Sequence, residues 1–213
     1  MSQICHKVHY LFSDLPKLGF PFDITKIPRN GIYVLFETGE SAHQADRIVR
    51  IGTHTGNNQL PLRLEQHFIR ENKDRSIFRK NIGRAILNRE KNAFLAQWEI
   101  DLTTTDAKKK YAGVIDQRKL QEIEKRVTNC IQRNFRFVVF RVDEKAKRLF
   151  WESKTISTVS LCDECCPSEN WLGLHSPKTK IQESGLWLVN ELYKQPLSES
   201  DYEVLKTNIL GKS

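Results

Sequence analysis

Hydrophobic residues along the chain change their period several times, and each change predicts an element. Gly31-Ile32-Tyr33-Val34-Leu35-Phe36 is a β-branched and aromatic run that predicts a buried strand. Arg47-Ile48-Val49-Arg50-Ile51-Gly52 predicts a second strand closed by glycine, and the polar stretch 37–46 between them reads as a loop. Leu60, Leu64 and Phe68 recur at helical spacing around Pro61, with Asn57 or Asn58 as cap. Ser76 caps a second helix with an apolar stripe of Phe78, Ile82, Ala85 and Ile86. Leu120, Ile123, Val127 and Ile131 mark a third helix, and residues 146–160 a fourth. Residues 135–142 are apolar on both faces, as in a central, covered strand. Pro16, Pro21 and Pro28 predict an irregular lead-in after a short first helix, and periodicity fades beyond Cys162.

These elements predict one α/β domain over residues 1–213, without repeats or a linker. A chain of 213 residues, 39% hydrophobic and 28% charged, can build a core, which argues against wholesale disorder. Its longest apolar runs span a few residues, far short of the roughly 18 that cross a bilayer, so no membrane association is expected. The first residues lack the apolar stretch of a signal peptide, and the five cysteines are an odd number. A cytoplasmic protein with reduced thiols is the expectation.

Charge adds a direction. The net +8 is uneven: residues 1–142 carry 25 Lys/Arg against 15 Asp/Glu, and residues 143–213 carry 9 against 11. The stretch 63–91 alone holds nine basic and four acidic residues. Such a surface suits a polyanion, and it equally describes a solvated helix face.

Gly31-Ile32-Tyr33, then Arg50-Ile51-Gly52, then Leu60-Pro-Leu-Arg63-Leu-Glu-Gln-His67 follow one another in an order that resembles the GIY-YIG nuclease superfamily. Glu152 and Pro167-Ser-Glu-Asn170 extend the resemblance, which covers about residues 28–171. It implies a small three-stranded central sheet flanked by helices, with elaborations at both ends. It further implies a nuclease acting on double-stranded DNA with Mg²⁺ or Mn²⁺ held by Glu152. The stand-alone layout looks restriction-type, and the oligomeric state stays open, a homodimer included. Catalytic positions carried over are Tyr33, Arg50, His54, Arg63, His67 and Glu152, with Asn170 as a DNA contact. Arg50 stands where the family has its second motif tyrosine. His54, or Thr53 at the alternative offset, supplies the residue that follows this motif.

The same residues can be weighed by chemistry. Arg63 and His67, four apart on a helix, form either a phosphate grip or an exposed basic pair. Glu152 shares a helical stripe with Leu149, Ile156 and Val159, so its carboxylate needs a buried ion pair or a bound cation. Tyr33 is either a core tyrosine or the group that takes a proton from water, which nearby positive charge favours. Arg50 alternates away from Val49 and Ile51, as if to share a face with Tyr33. Arg79, Lys80 and Arg84 lie off the apolar stripe of their helix and are expected to face DNA phosphates. Cys162, Cys165, Cys166 and His175 could bind zinc, but lack a second paired arm, so small buried thiols or an exposed loop are preferred. The alternative to an enzyme is a catalytically silent nucleic-acid-binding protein on the same fold.

Overall fold

The computed structural model describes residues 2–211. Its centre is a fully antiparallel sheet in the order β1-β4-β2-β3, formed by β1 (Leu18–Gly19), β2 (Gly31–Ala42), β3 (Ala45–Gly52) and β4 (Phe135–Arg141). The sheet therefore has four strands rather than three. The addition is the two-residue β1, which pairs Leu18 with Phe137 and is too short to show a period.

The stretch 37–46 is not a loop. β2 runs on to Ala42 and turns through His43 and Gln44, with φ of 53° and 60°, directly into β3. Two consecutive positive φ values make the tight turn whose twist matches an antiparallel pair. The polar composition hid the strand, because Glu40 meets Arg47 across the hairpin. Ser168 bonds the same carboxylate, which fastens the loop after residue 160 to the hairpin.

One face of the sheet (Ile32, Val34, Phe36, Ile48, Ile51) packs against α1 (Ser2–Ser13), and α7 (Lys145–Ser160) and α9 (Glu199–Leu210) complete that layer. The other face (Tyr33, Leu35, Val49) meets α2 (Leu60–Phe68), α3 (Ile77–Arg89) and α6 (Gln117–Asn134), with α4 (Leu95–Glu99) and α5 (Thr105–Tyr111) between the last two in sequence. α7 (Lys145–Ser160), α8 (Thr179–Ser184) and α9 (Glu199–Leu210) follow the sheet. α3 starts at Ser76, whose hydroxyl accepts the Arg79 N–H, as the sequence predicts. α2 lacks the predicted asparagine cap. Gln59 occupies that place without a side-chain bond, and Asn58 instead pairs with Asn30.

β3 carries a bulge. Leu35 pairs with Arg50 but Phe36 pairs with Ile48, so Val49 is the extra residue. Val49 and Arg50 consequently face the same side: Arg50 shares the face of Tyr33 and turns away from Ile51 as expected, but not away from Val49. The open edge of β3 is covered by the C-terminal segment, whose Trp187 N–H bonds the Val49 carbonyl at 2.7 Å. Among the described residues no helix is long and apolar enough to cross a membrane.

Candidate active site

A cleft of about 430 Å³ opens where β3, α2, α3, α7 and the C-terminal segment meet. Its lining includes Arg50 from the bulge, Arg63 from α2, Asn81 from α3, Glu152 from α7 and Asn190. Leu149 and Ile156, one helical turn either side of Glu152, also line it, so part of the stripe read from the sequence faces the cleft. A smaller recess lined by Thr53, His54 and Gln66 shares Arg63 with it.

Glu152 is half-buried, and its Oε1 accepts the Thr53 N–H at 3.0 Å. Burial raises its pKa above the ordinary glutamate value, against the opposing pull of that N–H and of the Arg50 charge. Among the described residues it has no ion-pair partner, so the buried salt bridge is not formed. Among the described residues neither Arg50 nor Arg63 forms an ion pair with a carboxylate, although both charges act on Glu152 from a distance. Arg63 Nη1 donates to the Arg75 carbonyl at 3.0 Å, and Arg50 Nη1 donates to the Trp187 carbonyl. Asn81 is buried, and its Nδ2 finds no acceptor although its Oδ1 holds Arg84.

Tyr33 and His67 sit behind this wall. Both are fully buried, with Tyr33 Oη 2.8 Å from His67 Nε2 and 3.2 Å from Arg50 Nε. His67 Nδ1 continues the chain to Ser76 Oγ at 2.7 Å. Burial first, then the charges of Arg63, Arg50 and Arg79, hold the His67 pKa well below the usual imidazole range. His67 lines neither the cleft nor the recess that Arg63 reaches, and bonds Tyr33 and Ser76 instead, so the two side chains do not stand side by side as a shared grip. His54 is buried too, with Nδ1 donating to the Gly56 carbonyl at 2.6 Å and Nε2 accepting the Gly31 N–H. Burial also lowers its pKa.

The three motif segments thus converge on one corner of the sheet. A family model of the GIY-YIG domain matches residues 14–212, wider than the stretch 28–171 that carries the motifs. The chain belongs to the GIY-YIG family. Members of this family are generally endonucleases. Comparison with curated proteins finds no match, and comparison with solved structures finds none.

Other expected positions of the GIY-YIG domain lie elsewhere. Arg79 is fully buried and pairs with Glu124 at 2.7 Å, Lys80 Nζ donates to the Glu99 carbonyl, and Arg84 takes the Glu99 carboxylate through two nitrogens. The face expected to meet phosphates is packed inside, because Glu99 and Glu124 from α4 and α6 cover it. Asn170 lines a separate cavity of about 720 Å³ with Glu37, Arg126 and Trp171. Asn190 stands in the Glu152 cleft instead, in a tail with no period to reveal it. Cys162, Cys165, Cys166 and His175 do not form one cluster. Cys166 is exposed and bonds the Asp163 carbonyl, while the backbone of His175 holds Asn88.

Proposed function

We propose that this GIY-YIG domain is a Mg²⁺-dependent endonuclease that hydrolyses phosphodiester bonds in double-stranded DNA, with a restriction-type layout. The observation that carries the reading is Glu152, a half-buried carboxylate without a cationic partner, in one cleft with two arginines that lack carboxylates. One carboxylate and retained waters suffice for Mg²⁺, and Mn²⁺ suits the same oxygen. Bound there, the metal ion would polarise the phosphoryl group and ease departure of the leaving oxygen.

The chain's own residues supply the rest. Arg63 and the Asn81 amide offer donors to phosphate oxygens as their charge grows. Arg50 covers the Tyr33 hydroxyl, so a phosphate that draws the guanidinium from the Trp187 carbonyl uncovers the tyrosine. Tyr33 then hands its own proton to His67 Nε2, 2.8 Å away, as it takes one from the attacking water. The enzyme would act in the cytosol, where its thiols stay reduced.

The burial of Tyr33 favours a second reading, a silent DNA-binding domain. Incubating supercoiled plasmid with the protein in Mg²⁺ or EDTA decides between them. The nuclease reading expects nicked and linear DNA with Mg²⁺ alone. A retained gel shift with no conversion at any metal concentration leaves the silent domain.

A further inference from the structure

The turn of the β2–β3 hairpin holds an unusual residue for its backbone. At a φ of 53°, where glycine or asparagine is the ordinary occupant, stands His43 with a side chain only 2% exposed. That side chain turns inward onto sulfur. Its Nε2 lies 3.2 Å from Cys165 Sγ, and Cys165 Sγ lies 3.4 Å from Cys5 Sγ. His9, one helical turn beyond Cys5 on α1, brings Nε2 to 3.9 Å from Cys165 Sγ. The ligating atoms of Cys5, His9, His43 and Cys165 all lie within 4.8 Å of one another.

The three separations around Cys165, 3.2, 3.4 and 3.9 Å, lie close to the edges of a tetrahedron around zinc, and the others need to close by at most about 1 Å. Bonds of about 2.3 Å to sulfur and about 2.0 Å to nitrogen set edges of roughly 3.3–3.8 Å. Both imidazoles are also oriented for the task. His43 Nδ1 faces the Glu164 carboxylate at 3.4 Å, and His9 Nδ1 donates to the Cys5 carbonyl at 2.9 Å. Each therefore keeps its proton on Nδ1 and turns Nε2 towards Cys165, as metal-binding histidines do when a carboxylate or carbonyl holds the other nitrogen; His9 Nδ1 also lies 3.6 Å from Cys5 Sγ. His9 Nε2 also accepts the Ile48 N–H, at a long 3.3 Å that a stronger ligand bond can replace. None of the four residues lines the Glu152 cleft, so catalysis does not account for them.

We propose that Cys5, His9, His43 and Cys165 form a structural Zn²⁺ site. Four protein ligands leave no open position, which distinguishes it from a catalytic zinc. Both cysteines would bind as thiolates, and the ion would join α1, the hairpin turn and the loop after α7, segments far apart in sequence. Cys162 Sγ, 3.4 Å from His43 Nε2, lies beside the set without belonging to it.

The test is elemental analysis of the full chain purified without chelator, together with the absorption spectrum after Co²⁺ exchange. We expect about one zinc per chain, and cobalt bands with the intensity of a tetrahedral thiolate site. Cys165→Ser and His43→Ala should lose at least about nine-tenths of the metal, while Cys162→Ser, Cys166→Ser and His175→Ala keep it. Should the ligand variants fail to fold, alkylation of the wild-type protein still decides. Cys5 and Cys165 should become reactive on chelation while Cys166 reacts throughout. Zinc below about a tenth of an equivalent with no cobalt bands would overturn the site, as would a Cys5–Cys165 disulfide in protein purified with reductant. Metal lost from Cys162→Ser but kept in His9→Ala would overturn the assignment of His9. Each readout is independent of DNA cleavage.

Discussion

α3 and the Glu152 cleft adjoin each other, and they treat buried charge in opposite ways. On α3 every cation expected to face DNA has found an acceptor inside the fold: Arg79 on Glu124, Arg84 on Glu99, and Lys80 on the Glu99 carbonyl. In the cleft the arginines end on backbone carbonyls, and Glu152 has one N–H and no cation. A charge taken out of water demands a partner. Where the fold supplies one, the group serves architecture. Where it does not, the place is left for something that binds.

The comparison breaks first at Glu152. Glu152→Gln should lower Mg²⁺-supported cleavage by orders of magnitude, while its Tm in EDTA stays level or rises, because an unfavourable carboxylate has gone. A lower Tm with cleavage intact would make Glu152 architecture after all. Arg79→Ala is the mirror test. It leaves Glu124 buried and unpaired, so urea unfolding at neutral pH should show a loss of about 3–5 kcal/mol. A loss near zero would mean that burial on α3 is not compensated by that pair. Tyr33→Phe comes next and should abolish cleavage while shifting stability by about 1 kcal/mol, the scale of one hydrogen bond. Normal nicking by this variant would return Tyr33 to the core.

Replacing Lys80 and Arg84 together by glutamine sharpens the contrast. DNA binding should keep its salt dependence, because neither cation reaches a phosphate. A log–log slope flatter by about two would show that both do. A pH-dependent effect concerns Glu37, whose carboxylate accepts the indole N–H groups of Trp171 and Trp187. Burial raises its pKa from 4.5 to about 7, against the pull of the two indoles and Arg47 and with the repulsion of Glu40. The folded state therefore holds a proton that the unfolded chain gives up, and this contribution to stability is present at low pH and lost as pH rises towards 7. Glu37→Gln should remove a slope of at most about 1.4 kcal/mol per pH unit between pH 4.5 and 7. An unchanged stability profile would assign that slope elsewhere.

Local signals explain what could be read in advance. Stripes at helical spacing gave α2, α3, α6 and α7; a β-branched and aromatic run gave the start of β2, a short run closed by glycine β3, and a run apolar on both faces β4. α9 was missed although Ser198 and Asp201 make a capping box, because its period is faint. The burial of α3's cations was invisible, since helical spacing says which residues share a face and not which other helix covers it. Arg50 shares the face of Tyr33 as alternation predicts; it is Val49, brought to the same face by the bulge, that no mark in the sequence reveals. The Cys5–His9 spacing was readable, but not what it meets: His43 lies on a turn read as a loop, and Cys165 was weighed with Cys162, Cys166 and His175.

Gly52 and Tyr33 face each other across β2 and β3. A Cβ on Gly52 would overlap the Tyr33 hydroxyl and ring, so the tyrosine occupies the space that the glycine leaves empty. Two positions thus share the volume of one side chain. A lineage cannot enlarge residue 52 while the tyrosine stays, yet it can shrink residue 33 first and fill the gap afterwards. Such changes have an order, and the first step forfeits the hydroxyl. Once residue 52 has grown, restoring the tyrosine requires reversing that step beforehand, so the loss works as a ratchet.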